Sequence, residues 1–196
     1  MQEKNPRRSN ADRTQAMRDA LISAGRELFV EKGYADTSTP EIVAAANVTR
    51  GARYHHFTDK AALFRAVIVA ESERVAESIV KATDGCTSAR EALDTGTDAY
   101  LDAMTQAGRT RLLLVDGPAV LGHEAMDAID RQTAGGTIVV GLSAALGREP
   151  DSRMEATGRL LSAAFERAAL DIAAGADDAT YRSELKRMLA DTCARD

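Results

Sequence analysis

STPEIVAAANVTRGARYHHFTDK, residues Ser38 to Lys60, is the stretch whose reading decides the fold. It predicts two short helices joined by a tight turn, with a third, longer helix starting just beyond. Ser38 is placed to cap the first helix, and Glu41, three residues on, completes the S-x-x-E capping box. Pro40 falls in the first turn, where a missing N–H does no harm. Ile42, Ala45 and Ala46 recur at i, i+3 and i+4, a narrow and mostly alanine stripe that lets a neighbouring helix come close. Ala46-Asn47-Val48 closes this helix, and Thr49 is placed to cap the next, Arg50 to Phe57.

That second helix crowds Arg50, Arg53, Tyr54, His55 and His56 into two turns, while Gly51 and Ala52 leave its start bare of bulk. A globular core gains little from such a mixture. A helix entering the major groove of DNA wants it: charge for phosphate, planar donors for base edges, small residues where backbone approaches closely. Two helices with a short turn are the helix-turn-helix plan, in which the second reads and the first braces.

Residues Arg13 to Val67 resemble the N-terminal DNA-binding domain of the TetR family of bacterial transcriptional regulators. The matching pieces are Ala20-Leu21-Ile22-x-Ala24-Gly25, Leu28-Phe29-x-Glu31-Lys32-Gly33-Tyr34 and Ser38-x-x-Glu41-Ile42, followed by Asn47-Val48-Thr49-Arg50-Gly51-Ala52-x-Tyr54-His55-His56-Phe57 and Lys60-x-x-Leu63-Phe64. They run in the family's order and spacing. Arg53 departs from the pattern, standing where such proteins usually carry an aliphatic residue. Two roles are open to it: its stem covers the apolar seam while its head snorkels, or it reaches a guanine as a bidentate donor.

Composition agrees with a helical chain. Of 196 residues only four are Phe and four Tyr, none is Trp, and 44% are hydrophobic, which favours closely packed helices over a β-sandwich. Net charge is −5, yet residues 1 to 60 carry ten Lys/Arg against eight Asp/Glu. A mildly basic head on an acidic body suits local DNA contact. Cys86 and Cys193 lie far apart without CxxC pairing and read as reduced thiols. The start, MQEKNPRRSN, lacks the apolar region of a signal peptide, and no apolar run approaches membrane-spanning length. The expected setting is the cytoplasm, with no membrane partner.

The predicted organisation is all-α, in three parts. Residues 1–11 form a flexible basic arm, with Arg7 and Arg8 open to a minor-groove role or to plain solvation. Residues 12–67 form the helix-turn-helix domain, its motif at about 38–57, and residues 68–196 a larger helical effector-binding and dimerisation domain. Within the head, a first helix from near Asp12 to Lys32 is ended by Gly33. Thr58-Asp59 caps a long helix from about Lys60 to Thr83. In the body, helices are expected over Ala89 to Gln106 and Arg109 to Val115, with a turn at Asp116-Gly117-Pro118. Ala119 to Leu146 follows, split or bent at Gly135-Gly136, then Met154 to Ala174 and Asp177 to Ala194.

Enzymatic motifs are lacking: no GxGxxG, P-loop, GxSxG or Cys/His pairing occurs. His55 and His56 point about 100° apart on a helix, which disfavours a shared metal. Glu124, Asp127 and Asp130, at i, i+3 and i+6, read as a solvated acidic face. No enzyme, metal or cofactor is expected.

Candidate DNA contacts are Thr39, Thr49, Arg50, Gly51, Ala52, Tyr54, His55, His56 and, by position and resemblance, Lys60; Phe57 is assigned to the core. The resemblance implies a homodimer through the last two helices, with Leu161, Phe165, Ala168, Ile172, Tyr181, Leu185 and Met188 as candidate interface. It further implies a ligand-responsive regulator, a repressor rather than an activator, on a palindromic double-stranded operator. Met104, Leu113, Val120, Met126, Ile138 and Phe165 are the candidate pocket for a small-molecule effector of apolar or amphipathic character. The rival reading is a helical ligand-binding or interaction protein that retains the head fold without specific operator binding.

Overall fold

A computed structural model of the chain describes residues 10–48 and 56–194. Regular structure among the described residues is entirely helical. The chain divides into two compact units, Met1–Val67 and Ile68–Asp196.

In the first unit, helix α1 (Asn10–Asp36) breaks at Gly33, where φ is 82°. Helix α2 (Thr39–Ala45) starts behind Ser38. Both halves of the capping box are made: Glu41 N–H donates to Ser38 Oγ at 3.4 Å, and Ser38 N–H donates to Glu41 Oε2 at 2.8 Å. Hydrogen bonds from Ser38 and Lys32 hold the Glu41 carboxyl down at about 2. Its buried face is Ile42 with Val43, rather than Ile42 with Ala45 and Ala46. The helix is one turn too short for that stripe, so Ala46 becomes the C-cap and Ala45 stays exposed. Asn47 then takes a φ of 53°, a left-handed turn that asparagine tolerates better than most residues.

Helix α3 (Lys60–Thr83) is capped by Asp59, whose Oδ1 accepts from Ala62 N–H at 2.7 Å. Its first two turns belong to the first unit and the remainder to the second. The first unit closes on three rings: Phe64 lies edge-on to Phe29 and to Tyr34, at 5.0 and 4.9 Å between centroids. Leu21, Ile42, Leu63 and Val67 are buried with them.

The second unit contains α4 (Ala89–Met104), α5 (Arg109–Arg111), a π-helical segment (Leu112–Asp116), α6 (Gly117–Leu121), α7 (His123–Gln132), α8 (Ala134–Leu146), α9 (Ser152–Ala173) and α10 (Asp178–Ala194). Helix α8 packs on α4 and α9, and α10 packs on the same two. Leu93, Leu101, Leu142, Leu161, Phe165, Leu185 and Leu189 fill the space among these four. Arg182 ties α10 to α4, reaching Asp102 Oδ1 at 2.7 Å and the carbonyl of Asp98 at 3.1 Å, while Lys186 reaches Asp98 Oδ2 at 2.6 Å.

The expected turn at Asp116-Gly117-Pro118 is not there. A proline ring collides with the carbonyl four residues back and offers no N–H to it. The chain answers by widening rather than stopping: Gly117 N–H reaches back five residues to Leu112 O, and Pro118 sits in the first turn of α6. The reversal comes at Gly122, φ 83°. The expected split does occur, but at Thr133, two residues ahead of Gly135-Gly136, and the glycine pair falls inside the first turn of α8. A Cβ on Gly135 would meet Asp130 Oδ2 at 2.1 Å. The glycine is there to admit that carboxylate.

One ion pair is wholly internal to the second unit. Glu71 on α3 is completely buried, and Arg109 Nε donates to its Oε2 at 2.9 Å. Arg109 Nη1 also donates to Ala103 O at 2.7 Å, and Arg74 engages the other Glu71 oxygen.

Candidate nucleic-acid interface and effector cavity

Thr49, Arg50, Gly51, Ala52, Tyr54 and His55 lie outside the described residues, as do Arg53 and residues 1–9 of the arm; Asn10 and Ala11, expected in the arm, open α1 instead. Three of the expected DNA contacts can be placed. Thr39 is the first residue of α2, half-buried, and His56 is half-buried beside the buried Phe57, whose ring carries the Arg18 guanidinium at 5.4 Å. Phe57 thus sits in the core as expected.

Lys60 was expected to reach phosphate; in the free protein its ammonium faces the chain instead. Nζ donates to the carbonyls of Tyr34 at 2.8 Å, Thr37 at 3.0 Å and Ala35 at 3.4 Å, and lies 4.2 Å from the centre of the Tyr34 ring. An ammonium has three N–H groups, so all are engaged. Two of the acceptors, Tyr34 and Ala35, belong to the last turn of α1, where the helix dipole favours a cation, and Thr37 follows directly after it. Thr37, which the sequence reading passed over, completes the closure by donating its hydroxyl to Leu28 O and Gly33 O at 3.1 and 2.7 Å. Lys60→Met is therefore expected to destabilise the first unit by roughly 2 kcal/mol, since hydrogen bonds from a charged donor are lost. Thermal melting without DNA checks this; a lysine that served phosphate alone leaves the melting temperature unmoved.

The candidate dimer residues separate. Leu161, Phe165, Ala168 and Leu185 are buried in their own chain and have no surface left for a partner. Their periodicity is that of a core stripe: α9 and α10 turn it toward α4 and α8. Ile172 and Tyr181 are half-buried, with Tyr181 donating to Asp171 Oδ2 at 2.8 Å. Met188 is exposed on α10, and on α9 Leu160 is exposed to 74%, flanked by exposed Ala163 and Arg167.

The candidate pocket residues divide between two cavities of the second unit. Met104, Leu113 and Met126 line a cavity of about 590 Å³, and Ile138 and Phe165 line one of about 690 Å³; Val120 lines neither. Tyr100, Thr133, Ala134 and Ser162 border both. Tyr100 stands edge-on to Phe165, 5.3 Å between ring centres. The larger cavity is chiefly apolar. The smaller is more polar: Asp127, Asp130 and Glu166 join its methionines.

Asp130 thus belongs to a cavity wall rather than to the solvated face expected of it, whereas Asp127 borders the same cavity with its side chain 40% exposed and Glu124 is exposed as expected. Asp130 accepts from Ser162 Oγ at 2.6 Å and from Gly135 N–H at 3.0 Å, and burial raises its carboxyl above the usual range. Burial, then the charges of Asp130 and Asp127, push Glu166 up to about 7. Burial, then the charges of Glu166 and Asp130, push the Tyr100 phenol up as well. Among the described residues no group of His, Cys, Asp and Glu is placed to hold a metal ion, and no helix is long and apolar enough to cross a membrane.

Comparison with known proteins covers both units. The model of bacterial regulatory proteins of the tetR family matches residues 21–67, and that of the tetracyclin repressor-like C-terminal domain matches residues 90–193. The Transposon Tn10 TetC protein of Escherichia coli is 30% identical over 138 residues, 70% of this chain and 68% of its own. The HTH-type transcriptional repressor BepR of Brucella suis biovar 1 is 39% identical over 62 residues, 32% of this chain and 29% of its own. The crystal structure of a TetR-family transcriptional regulator from Pectobacterium atrosepticum matches with a TM-score of 0.67 at 27% identity, covering 93% of this chain and 94% of that one. With its N-terminal helices and most of its body both matched, the chain belongs to the TetR family of bacterial transcriptional regulators.

Proposed function

We propose that the protein is a homodimeric, ligand-responsive repressor that binds a palindromic operator through residues 12–67 and an effector through residues 68–196. The observation that carries this reading is a short braced helix, Thr39–Ala45, delivered by a complete capping box directly before the Arg/His/Tyr-rich segment. A brace held this firmly suits a reader that must keep its register in the major groove. Thr39, Thr49, Arg50, Gly51, Ala52, Tyr54, His55 and His56 remain the proposed contacts, with Lys60 reassigned to holding α1 against the start of α3.

A single helix-turn-helix touches too few base edges for useful specificity, and a two-fold pair doubles them. The proposed pairing face is the outer side of the last two helices, marked by Leu160, Ala163 and Met188, in place of the residues buried in the chain's own core. An effector in the body acts by binding one conformation of the dimer better than the other. Helix α3, which contributes residues to both units, is the element through which that preference passes.

The test is a mobility shift on DNA from upstream of the protein's own gene over a range of salt. Binding is expected to fall steeply with salt as phosphate contacts release counterions. Arg50→Ala is expected to weaken binding to all sequences and to lower the magnitude of the salt slope by about one. Sequence-blind binding, or an Arg50→Ala variant equal to the parent, would overturn the reading.

A further inference from the structure

The smaller cavity of the second unit holds more negative charge than its walls neutralise. Four carboxylates line it, Glu124, Asp127, Asp130 and Glu166, against one guanidinium, Arg159, and one imidazole, His123. Arg159 reaches Asp127 at 3.2 Å, and Arg131 pairs with that same carboxylate. Ser162 and Gly135 satisfy Asp130. Glu166 is different. Half-buried on α9, it has neither hydrogen bond nor ion pair among the described residues, and the Tyr100 hydroxyl beside the same space is also without a partner.

An unpartnered carboxylate in a partly dry cavity with like charges nearby costs free energy in the empty protein. No contact among the described residues offsets that cost, and a ligand of opposite charge would. A bare ion does not suit a space of about 590 Å³ that is also lined by Met104, Leu113 and Met126. Thioethers and aliphatic side chains take hydrocarbon, and a tyrosine face takes a cation.

We propose that this cavity binds an organic cation, its ammonium head against Glu166 with Asp130 and Tyr100 alongside and its hydrocarbon body against Met104, Leu113 and Met126. This deepens the reading of the body as an effector domain and rests on it for the regulatory consequence, though not for the binding itself. The raised Glu166 carboxyl agrees with the geometry, since a cation relieves the repulsion that raises it.

The experiment is calorimetric titration of the full chain, at about pH 8 where Glu166 is mostly ionised, with three probes of one chain length: decylammonium, decanol and decanoate. Decylammonium is expected to bind best, and Glu166→Gln to weaken it by about tenfold or more, as loss of a charged partner does. Glu149→Gln, the same charge change at an exposed site outside the cavity, is expected to bind decylammonium like the parent. Decanol or decanoate binding as tightly as decylammonium, no binding of any probe, or a Glu166→Gln variant equal to the parent would each overturn the proposal. The operator shift is run on the same samples. DNA binding without decylammonium binding sinks the ligand class alone, whereas decylammonium binding without DNA binding supports the cavity chemistry and sinks the regulator.

Discussion

Arg109→Leu is expected to destabilise the second unit by about 3 kcal/mol, the cost of removing one partner from a buried ion pair. Glu71 is completely buried, and Arg109 supplies its close contact at 2.9 Å from within the interior. Arg74 engages the other oxygen but is nearly half exposed, so water competes for it. The same substitution frees the carbonyl of Ala103, which Arg109 Nη1 now satisfies. Changing both residues, Glu71→Leu with Arg109→Leu, is expected to recover most of the loss, because the buried carboxylate that Arg109 compensates is then removed as well. Urea unfolding of parent, single and double variants checks this. A double variant as unstable as the single one would show that packing, not charge, is what Arg109 provides.

Phe64→Ala is expected to cost the first unit about 3–5 kcal/mol, the range for removing a buried aromatic ring. Its ring is completely buried and touches both Phe29 and Tyr34, so deletion leaves a hole between α1 and α3. That loss is comparable to the whole stability of a small domain. The expected result is selective: amide protons of α1 and α2 exchange rapidly, while those of α8 and α9 keep their protection. DNA binding disappears and decylammonium binding persists. Equal loss of protection in both units would mean that they unfold as one.

Local signals in the sequence were followed closely by the chain. Ser38-x-x-Glu41, Gly33 and Asp59 each act within a few residues of themselves, so a capping box, a helix end and a helix start could be read without knowing what lay across the fold. Signals whose partner is distant were less legible. The Lys60 ammonium binds carbonyls 23 to 26 residues away, and nothing in a helix-start lysine distinguishes this from a phosphate contact. Asp130 has the spacing of a solvated face, but Ser162, 32 residues later, draws it inside. The apolar stripes of α9 and α10 were legible as stripes; whether a stripe faces its own body or a second copy depends on the other helices, which periodicity does not contain. The turn at Pro118 failed for another reason. Proline forbids an ordinary α-helical turn, and ending the helix is one of two ways to obey.

The other way leaves a trace. Between Leu112 and Asp116 the backbone carries one amino acid more per revolution than the coils on either side. Surplus and imino acid are a matched set: deleting one residue there would restore the tighter winding and drive the pyrrolidine into an oxygen, while replacing Pro118 would leave the wide coil without its cause. Descendants of this chain should therefore gain or lose the two together.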